Sequence, residues 1–513
     1  MVSRCAFVFL ACALVVLMKA ERANALDLYV DASCSVDGDG AANQCASGAG
    51  GAGAFRDLQS CFSAARAGDT CFIKNGTYTS NNRAGDPSES GGFSLASSGT
   101  ATAPITIKNY PGHSPLLQNC PTSATSYSQC ANPTITANQQ SYYVIEGLRI
   151  RGGIWVYGPD MSNHARGIVI RNNDISQGWG EVDDGNWAAI FLADQTGARI
   201  VGNTIHDVSV ISGGGQQSSG SCIKLYQNTD AIVEYNTCRS TRIAESQAGG
   251  IDDKAEAIRN IHRFNWIEDT NMCVRVNNQL YSSGVQIYGN VCIGANHSSG
   301  TNTCFRLITL INGIDIYNNT CYNYAVGLEI MSEGGAITNA RAYNNIFSNI
   351  SDNNVEAYQD PALLDYNAYW PTASAPRYRL GGTWRTALTD VVNATNFDDR
   401  SREANCGFTV AGTDFRLSTS VCVGQGRRGG TSSGSVVDLG AYGVTTCVGS
   451  TCQGGGQAPP PSGGSAPASP QNLRILSSDL RDLLLQDFTA SAPVLDKPRA
   501  QLRNLLRQPA AIS

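Results

Sequence analysis

Seven short segments of the chain repeat one pattern, in which an apolar and a polar residue precede an asparagine and a second apolar residue lies two positions after it. The aligned asparagines are 25 to 33 residues apart, at Asn173, Asn203, Asn236, Asn265, Asn290, Asn319 and Asn345. Self-similarity at such a period is typical of solenoids. Alternating strand patterns without helical periodicity then indicate β-strands in each repeat. We predict an all-β fold, a parallel β-helix (β-solenoid) of at least seven coils.

Asparagine suits one recurring place in each coil for two physical reasons. Its backbone tolerates the left-handed conformation that a tight bend requires. Its amide can also hydrogen-bond to the equivalent amide one coil away, as in other stacked-strand assemblies. We therefore expect an asparagine ladder along the solenoid, whose stacked coils leave unpaired strand edges only at the two ends.

The first 25 residues have the features of a signal peptide. A basic residue precedes an apolar run over residues 6–18, and Ala23-Asn24-Ala25 fits a cleavage site. A transmembrane anchor is the alternative, but this run is shorter than the ~20 residues that a span needs. We predict that residues 1–25 are removed and that the protein is secreted, to the extracellular space or the periplasm.

Cysteine usage also favours an oxidising compartment. Of the 18 cysteines, Cys5 and Cys12 lie in the predicted signal peptide, which leaves 16. An even number in an exported chain indicates disulfides. Sequence alone does not determine connectivity, but the order of the cysteines suggests that neighbours pair. The expected pairs are Cys34–Cys45, Cys61–Cys71, Cys120–Cys130, Cys222–Cys238, Cys273–Cys292, Cys304–Cys321, Cys406–Cys422 and Cys447–Cys452.

Charge and composition separate the chain into regions and exclude some partners. The net charge is −6 and no basic tract occurs, so nucleic acid is not an expected partner. Residues 26–452 are predicted to form the β-helix domain, and 453–471 a linker rich in glycine, proline and serine. Residues 472–513 form a short tail, disordered, helical or acting as a docking peptide, because it is too short for an independent core.

The entry and exit of the predicted solenoid resemble a known group. The entry reads "LYVDASCSVDGDG", "FRDLQSCFSAARAGDTCFIKNGTYTS" and "TAPITIKNYPGHSPLL", and the exit reads "TDFRLSTS" and "DLGAYG". From Leu28 to Gly443 the chain resembles the right-handed parallel β-helix superfamily of pectin lyase-like proteins. That resemblance implies a first strand followed by a short capping helix around residues 58–65. It concerns the fold, because one fold carries many functions.

One strand of each repeat carries ionisable residues. We align its inward apolar positions as Ile190, Ile223, Ile251, Val274, Phe305 and Leu328. Strand alternation then predicts an outward column of Phe191, Lys224, Asp252, Arg275, Arg306 and Glu329. A second outward column follows two residues later, at Ala193, Tyr226, Lys254, Asn277, Ile308 and Met331. Asp253 would point inward, which is costly without a partner, so we expect a local bulge or turn there.

Two lyase patterns are partly present in this region. Lys254 and Arg275 are about one coil apart and resemble the lysine base and the arginine of chondroitinase-B-like and alginate lyases. In that family acidic calcium ligands come shortly before the lysine, where this chain has Gln247 and Gly249.

The second pattern is Asp183-Asp184-Gly185 followed by "GSCIKLY". It resembles pectate lyases that combine an Asp-Asp-Gly calcium site with a lysine base in a Gly-x-x-Phe-Lys-Leu strand, and Lys224 occupies the position of that base. The further aspartate of those lyases is replaced, because Asn186, Trp187 and Ala188 come next. A calcium ion at this place would therefore need other ligands in addition to Asp183 and Asp184.

These residues suit β-elimination on a uronic-acid polymer. The C5 proton is poorly acidic, so a cation or hydrogen-bond donors must neutralise the adjacent carboxylate while a base removes the proton. The hypothesis is a secreted polysaccharide lyase that acts on an acidic polysaccharide. Its catalytic residues would be Lys254, Arg275 and Lys224, its substrate-binding residues Arg306, Tyr226, Asn277 and Glu329, and the ligands of a calcium ion Asp183, Asp184 and Asp252.

Three alternatives remain open on the same fold. The stripe of charged residues also suits a non-catalytic carbohydrate-binding or adhesion solenoid. Epimerisation of a uronate at C5 begins with the same proton abstraction. A glycoside hydrolase with paired carboxylates is the third alternative.

Overall fold

The computed structural model of the chain describes residues 25–80, 92–119, 133–176, 188–208, 220–239, 249–277, 280–294, 302–331, 335–371, 377–443, 445–448 and 451–454. Here the chain is a right-handed parallel β-helix, as predicted. Each coil contributes strands to three parallel stacks, which we call faces A, B and C. Apart from Ala25, and from Gln453 and Gly454 in the strand Thr451–Gly454, the predicted signal peptide, linker and tail lie outside the described residues and stay predictions.

The bounds of the strands show the regular succession of the coils. Face A consists of Phe93–Leu95, Ile135–Asn138, Ile154–Tyr157, Ala188–Ala193, Ser221–Thr229, Gly249–Ile258, Met272–Asn277, Thr303–Ile308, Val326–Met331, Asn353–Ala357 and Arg377–Leu380. Face B consists of Asp27–Val30, Thr70–Ile73, Ile105–Asn109, Tyr143–Glu146, Val169–Arg171, Arg199–Val201, Ile232–Glu234, Ile261–Arg263, Ser282–Tyr288, Ile311–Tyr317, Ile337–Tyr343 and Leu363–Asp365. Face C consists of Thr77–Thr79, Leu116–Gln118, Arg149–Arg151, Asp174–Ser176, Thr204–His206, Thr237–Arg239, Trp266–Thr270, Val291–Gly294, Thr320–Tyr322, Ile346–Ile350, Ala368–Pro371 and Arg402–Glu403.

A few elements lie outside the three faces. The α-helices are Leu58–Ala64 and Leu388–Ala394, and short 3-10 turns span Arg428–Gly430 and Ala441–Gly443. The remaining strands are Ala165–Arg166, Gln195–Thr196, Thr383–Arg385, Phe408–Val410, Asp414–Leu417, Gly426–Arg427, Val436–Val437, Thr445–Val448 and Thr451–Gly454. None of the helices described is long and apolar enough to cross a membrane.

The Leu58–Ala64 helix confirms the predicted cap at the entry of the solenoid. Asp57 precedes it, and its carboxylate accepts a hydrogen bond from the backbone N–H of Gln59, which satisfies one of the N–H groups left unpaired at a helix start. The helix buries Leu58 and Phe62, so the first coils have an apolar cover in place of a partner coil.

The asparagine ladder is present and longer than predicted. The Oδ1 atom of Asn203 accepts hydrogen bonds from the backbone N–H and the Nδ2 of Asn173, at 3.1 and 3.0 Å. Its own Nδ2 donates to Oδ1 of Asn236 and to the carbonyl of Ile170. The same Asn-to-Asn bonds continue through Asn345 to an eighth member, Asn367. The pattern "LDYNAYW" contained this eighth asparagine.

One of the two reasons given for the asparagine was wrong. The left-handed residue is the one before each ladder asparagine, namely Asn172, Gly202, Tyr235, Phe264, Gly289, Asn318, Asn344 and Tyr366, with φ between 52° and 67°. The ladder asparagines themselves are not left-handed. Their position is therefore determined by the hydrogen bonds of their buried side chains.

Six of the eight expected disulfides are present: Cys34–Cys45, Cys61–Cys71, Cys222–Cys238, Cys273–Cys292, Cys304–Cys321 and Cys406–Cys422. Three of them, from Cys222–Cys238 to Cys304–Cys321, join face A to face C through the interior of a coil. The Cys120–Cys130 pair lies outside the described residues, and the side chains of Cys447 and Cys452 are not described either.

The chain after the last coils returns along face C. Phe415 packs on Trp266 with ring centroids 5.9 Å apart, and it also contacts the ring of Tyr322. Ala441 and Phe415 are buried in this layer. Much of face C is therefore covered by the chain itself, whereas the columns of face A are the better candidates for contact with a ligand.

We predict that Asn265→Ala lowers the free energy of unfolding by about 1–3 kcal/mol, because it leaves the buried N–H groups of Asn236 without their acceptor. Chemical denaturation measures this loss. Asn138→Ala is the matched control, since Asn138 is exposed at the end of a face A strand. Equal stabilities of the two variants would contradict a stabilising ladder.

Candidate functional site

The residues of face A pair in the predicted register. Ile223 is opposite Ile190 on one side and Ile251 on the other, and the alignment continues through Val274 and Phe305 to Leu328. Lys224 consequently lies beside Asp252, and Asp252 beside Arg275. Lys254 is beside Asn277, so the two residues compared with the chondroitinase-B pattern, Lys254 and Arg275, are not direct neighbours.

The two outward columns differ in their access to solvent. The first column is buried although it points away from the core: Lys224 is 0%, Asp252 1% and Arg275 3% exposed. In the second column Tyr226, Lys254 and Asn277 are partly exposed. A ligand on face A therefore reaches the second column first, and the buried charges lie beside this column on the same strands.

The buried charges form one compact cluster. Arg275 donates two hydrogen bonds to Asp252, from Nε to Oδ1 at 2.8 Å and from an Nη atom to Oδ2 at 2.6 Å. The Nζ atom of Lys224 is 3.2 Å from Oδ2 of the same carboxylate. Such a bidentate arginine–carboxylate pair holds both groups in one geometry.

Burial and charge act in opposite directions on the pKa values of this cluster. The pKa of Lys224 is lowered to about 8, because burial, together with the charges of Arg275 and Lys254, outweighs the opposing effect of Asp252. Burial raises the pKa of Asp252, but Arg275 and Lys224 outweigh it and hold this pKa well below its usual range. Lys224 is thus the cluster member whose charge changes nearest to neutral pH.

An aromatic cluster, which the sequence interpretation missed, continues this face toward the N-terminus. The rings of Trp155 and Phe191 are 5.6 Å apart, and Tyr157 is 5.4 Å from Phe191. Tyr226 packs against the same cluster. The strand Ile154–Tyr157 has the same alternation of buried aliphatic residues as the aligned strands, so extending the alignment by one coil would have found it.

Two carboxylates border the accessible column at the corner between faces A and B. Asp194 directly follows Ala193, and Glu256 is two residues beyond Lys254. The pKa of Asp194 is raised to about 6, chiefly by burial. The charge of His164 lowers this pKa, whereas the charges of Asp160 and Glu256 raise it. Among the described residues, Oδ1 of Asp194 has no hydrogen-bond partner. The sequence interpretation assigned neither residue a role. Asp194 has a left-handed backbone and Glu256 follows the left-handed Ala255, so both fall outside the regular strand alternation.

Asp253 points into the core, and the expectation of a bulge or turn at this residue was wrong. The strand stays in register through Asp253, which is paired with Leu225, and the bulge follows Lys254. A buried partner offsets the cost of the inward carboxylate: Nε2 of His262 is 2.8 Å from Oδ2 of Asp253, and Nδ2 of Asn260 donates to both carboxylate oxygens. Asp253 and His262 are both wholly buried, so they stabilise the interior and cannot contact a polymer.

The other residues expected to bind substrate lie one or two coils further on. Arg306 and Glu329 form an ion pair with 3.0 Å between Nε and Oε2, and both side chains are largely covered. The sulfur atom of Met331 accepts a hydrogen bond from an Nη atom of Arg306 at 3.0 Å. Arg306 and Glu329 therefore extend the row of buried charge and present little surface to a ligand.

The described residues do not fit a calcium site. Both oxygens of Asp252 contact Arg275 or Lys224, so a divalent cation there would lie against two positive groups. Elsewhere in the described ranges, the His, Cys, Asp and Glu groups close enough to share a metal are Cys273, Cys292 and Cys304, and Asp31 with Cys34 and Cys45. These cysteines form disulfides, and Ca²⁺ requires several oxygen ligands. Asp183 and Asp184 lie outside the described residues, and calcium at that place stays a prediction.

Comparison with known proteins gives matches among solved structures alone. No family model and no curated protein matches the chain. A pectate lyase, Pel9A, is 14% identical over 82% of this chain and 97% of its own, with a TM-score of 0.47. A rhamnogalacturonan lyase is 13% identical over 75% and 91%, with a TM-score of 0.42. The PL6 family alginate lyase AlyGC is 13% identical over 65% and 55%, with a TM-score of 0.32. At these values the activities of those proteins are not transferred to this chain.

We predict that Asp252→Asn destabilises the protein by about 3–5 kcal/mol, because it leaves Lys224 and Arg275 buried without their shared counter-charge. Lys224→Met is the matched variant, since it keeps the Asp252–Arg275 pair balanced and should cost clearly less. Denaturation of both variants at one pH gives the comparison. A larger loss for Lys224→Met would show that Lys224 provides most of the stability of the cluster.

Proposed function

We propose that this protein is exported and cleaves an acidic, uronate-containing polysaccharide by β-elimination along face A, with Lys254 as the base. The observation that carries the proposal is the partly exposed row of Tyr226, Lys254 and Asn277 beside the buried cluster of Lys224, Asp252 and Arg275. The disulfides of the described chain support an oxidising compartment. The chemistry of the row, argued below, supports the substrate class.

The row supplies the contacts that a uronate unit requires. The ring of Tyr226 offers an apolar face on which a sugar ring stacks. Asn277, on the other side of Lys254, offers an amide donor to the uronate carboxylate. The three residues Lys224, Asp252 and Arg275 together carry one net positive charge while Lys224 is protonated, because two of them are cations and one is an anion. This positive charge next to the row attracts the carboxylate of a uronate unit.

The proposed elimination conserves its protons and electrons. Lys254, in its neutral form, takes the proton from C5 of the uronate. The electron pair of that C–H bond forms the double bond between C4 and C5, and the bond from C4 to the leaving oxygen breaks. Asp194, in its protonated form, gives its proton to that oxygen. Arg275 and Lys224 contact no substrate in this mechanism, because they are buried in the ion cluster. They act by holding positive charge next to Lys254.

A non-catalytic glycan-binding solenoid is the second candidate. The observation that favours it is the closed geometry of the ion cluster, in which the charges satisfy one another away from solvent. Such a cluster stabilises a surface that only binds. Elimination distinguishes the two candidates, because it creates an unsaturated uronate that absorbs ultraviolet light, whereas binding leaves the polymer intact.

We predict a rise of ultraviolet absorbance when the purified chain is incubated with one of pectate, alginate, chondroitin sulfate or dermatan sulfate. Lys254→Ala should reduce the rate by about 10²–10⁴-fold, since it removes the base. Trp370→Ala, at an exposed position on face C, should retain the wild-type rate. A flat trace with all four polymers, together with retention of one of them by the protein, would favour the binding solenoid.

We also predict an activity that depends on the proton of Asp194. Since this residue loses its proton as the pH rises through about 6, kcat/KM should stop rising with pH near that value, because each further gain in neutral Lys254 is then offset by a loss of protonated Asp194. Asp194→Asn should remove this bend in the profile and lower the rate below pH 6. Glu256→Gln should move the bend to lower pH, because it removes a negative charge that raises the pKa of Asp194. A profile of kcat/KM against pH measures all three, and an unchanged bend in Asp194→Asn would exclude it as the acid.

A further inference from the structure

An exposed aromatic patch lies at the C-terminal end of face A, remote from Lys254. It consists of Tyr358, Arg379 and Trp384, which we call the distal patch. Tyr358 is 39% and Trp384 48% exposed, which is high for large aromatic side chains. Neither packs into one of the apolar clusters of the core, so their exposed rings require an explanation other than the stability of the interior.

The three side chains are held in a defined arrangement. The guanidinium of Arg379 lies over the ring of Tyr358, 3.7 Å from its centroid, and 5.5 Å from that of Trp384. Glu356 fixes both neighbours: it accepts a hydrogen bond from the hydroxyl of Tyr358 at 2.9 Å, and its Oε1 is 3.7 Å from an Nη atom of Arg379. The patch is thus a preorganised surface, with a cation between two rings.

The distal patch continues the outward column of face A. Glu329 pairs with Glu356, and Glu356 with Arg379. Trp384 lies beside Arg379 on the antiparallel strand Thr383–Arg385, which ends the sheet. Five strand steps separate the strand of Lys254 from that of Arg379. At ~4.8 Å per step the separation is about 24 Å, more than one sugar unit can span.

We propose that the distal patch is a second glycan subsite, which binds a remote anionic sugar of a polymer that lies along face A. The apolar face of the sugar packs on the ring of Trp384, and its carboxylate or sulfate group pairs with Arg379. Arginine between aromatic rings suits this ligand, because the guanidinium binds a planar anion through two N–H groups while the rings exclude water. The inference rests on the proposed substrate class, but not on elimination.

The test measures retention of the full chain in native gels that contain polygalacturonate, alginate or chondroitin sulfate. All variants carry Lys254→Ala, so that the polymer is not cut during the run. In this background Trp384→Ala and Tyr358→Ala should each weaken retention by about tenfold on the polymer that retains the parent. Trp370→Ala is the matched control, because Trp370 is 42% exposed but lies on face C, and it should bind as the parent does.

The outcomes separate this inference from the proposed function. Weaker retention of Trp384→Ala and Tyr358→Ala alone supports the subsite, even if the chain with Lys254 intact produces no ultraviolet absorbance. Equal retention of all variants overturns the subsite. This result does not bear on elimination, which the ultraviolet assay tests separately. A parent that none of the three polymers retains also overturns it. Thermal unfolding of each variant serves as the folding control, and a loss of retention shared by Trp370→Ala counts against the subsite.

Discussion

The structure depends on the pairing of each coil with the next. Parallel strands satisfy their backbone groups only through both neighbours, so a coil has no stable conformation by itself. The asparagine ladder adds side-chain bonds to this pairing at one corner of every coil from Asn173 to Asn367. Ladder residues that are 22 to 33 positions apart in sequence thereby lie about 4.8 Å apart in space, and chemical groups from different coils form common surfaces.

Face A shows how this stacking produces a site. Lys224, Asp252 and Arg275 come from three successive coils, and no local motif unites them. Stacking brings them into one buried cluster in which Asp252 is shared by two cations. The same stacking places Lys254 between Tyr226 and Asn277. A partly exposed row beside a buried charged column is a rigid platform for a ligand, because the ion pairs of the buried column link three successive strands.

The interior carries polar groups as well. Asp253, Asn260 and His262 are buried, and Asn260 and His262 both hydrogen-bond to the carboxylate of Asp253. A charge without such partners would be strongly destabilising in the core. The sequence therefore suggested a bulge or turn at Asp253, which the structure does not show. The partners of Asp253 are seven and nine residues away, on the turn and strand that follow, so the local sequence did not reveal them. The side-chain alternation of face A predicted the inward direction of Asp253 correctly, whereas the cost of burying its charge suggested a bulge that is absent at this residue.

The sequence by itself determined the fold and the register. Repeats with one asparagine and alternating apolar residues permit one way of stacking, which is why the columns through Lys224 and Lys254 were predicted residue by residue. Cysteine order likewise predicted the six disulfides described. The tertiary structure alone decided which column is accessible, because burial depends on what lies above a face and not on alternation within it. It also revealed the corner carboxylates Asp194 and Glu256 and the distal patch of Tyr358, Arg379 and Trp384. These groups lie at bends or on different strands, where side-chain direction follows from the path of the backbone rather than from sequence period.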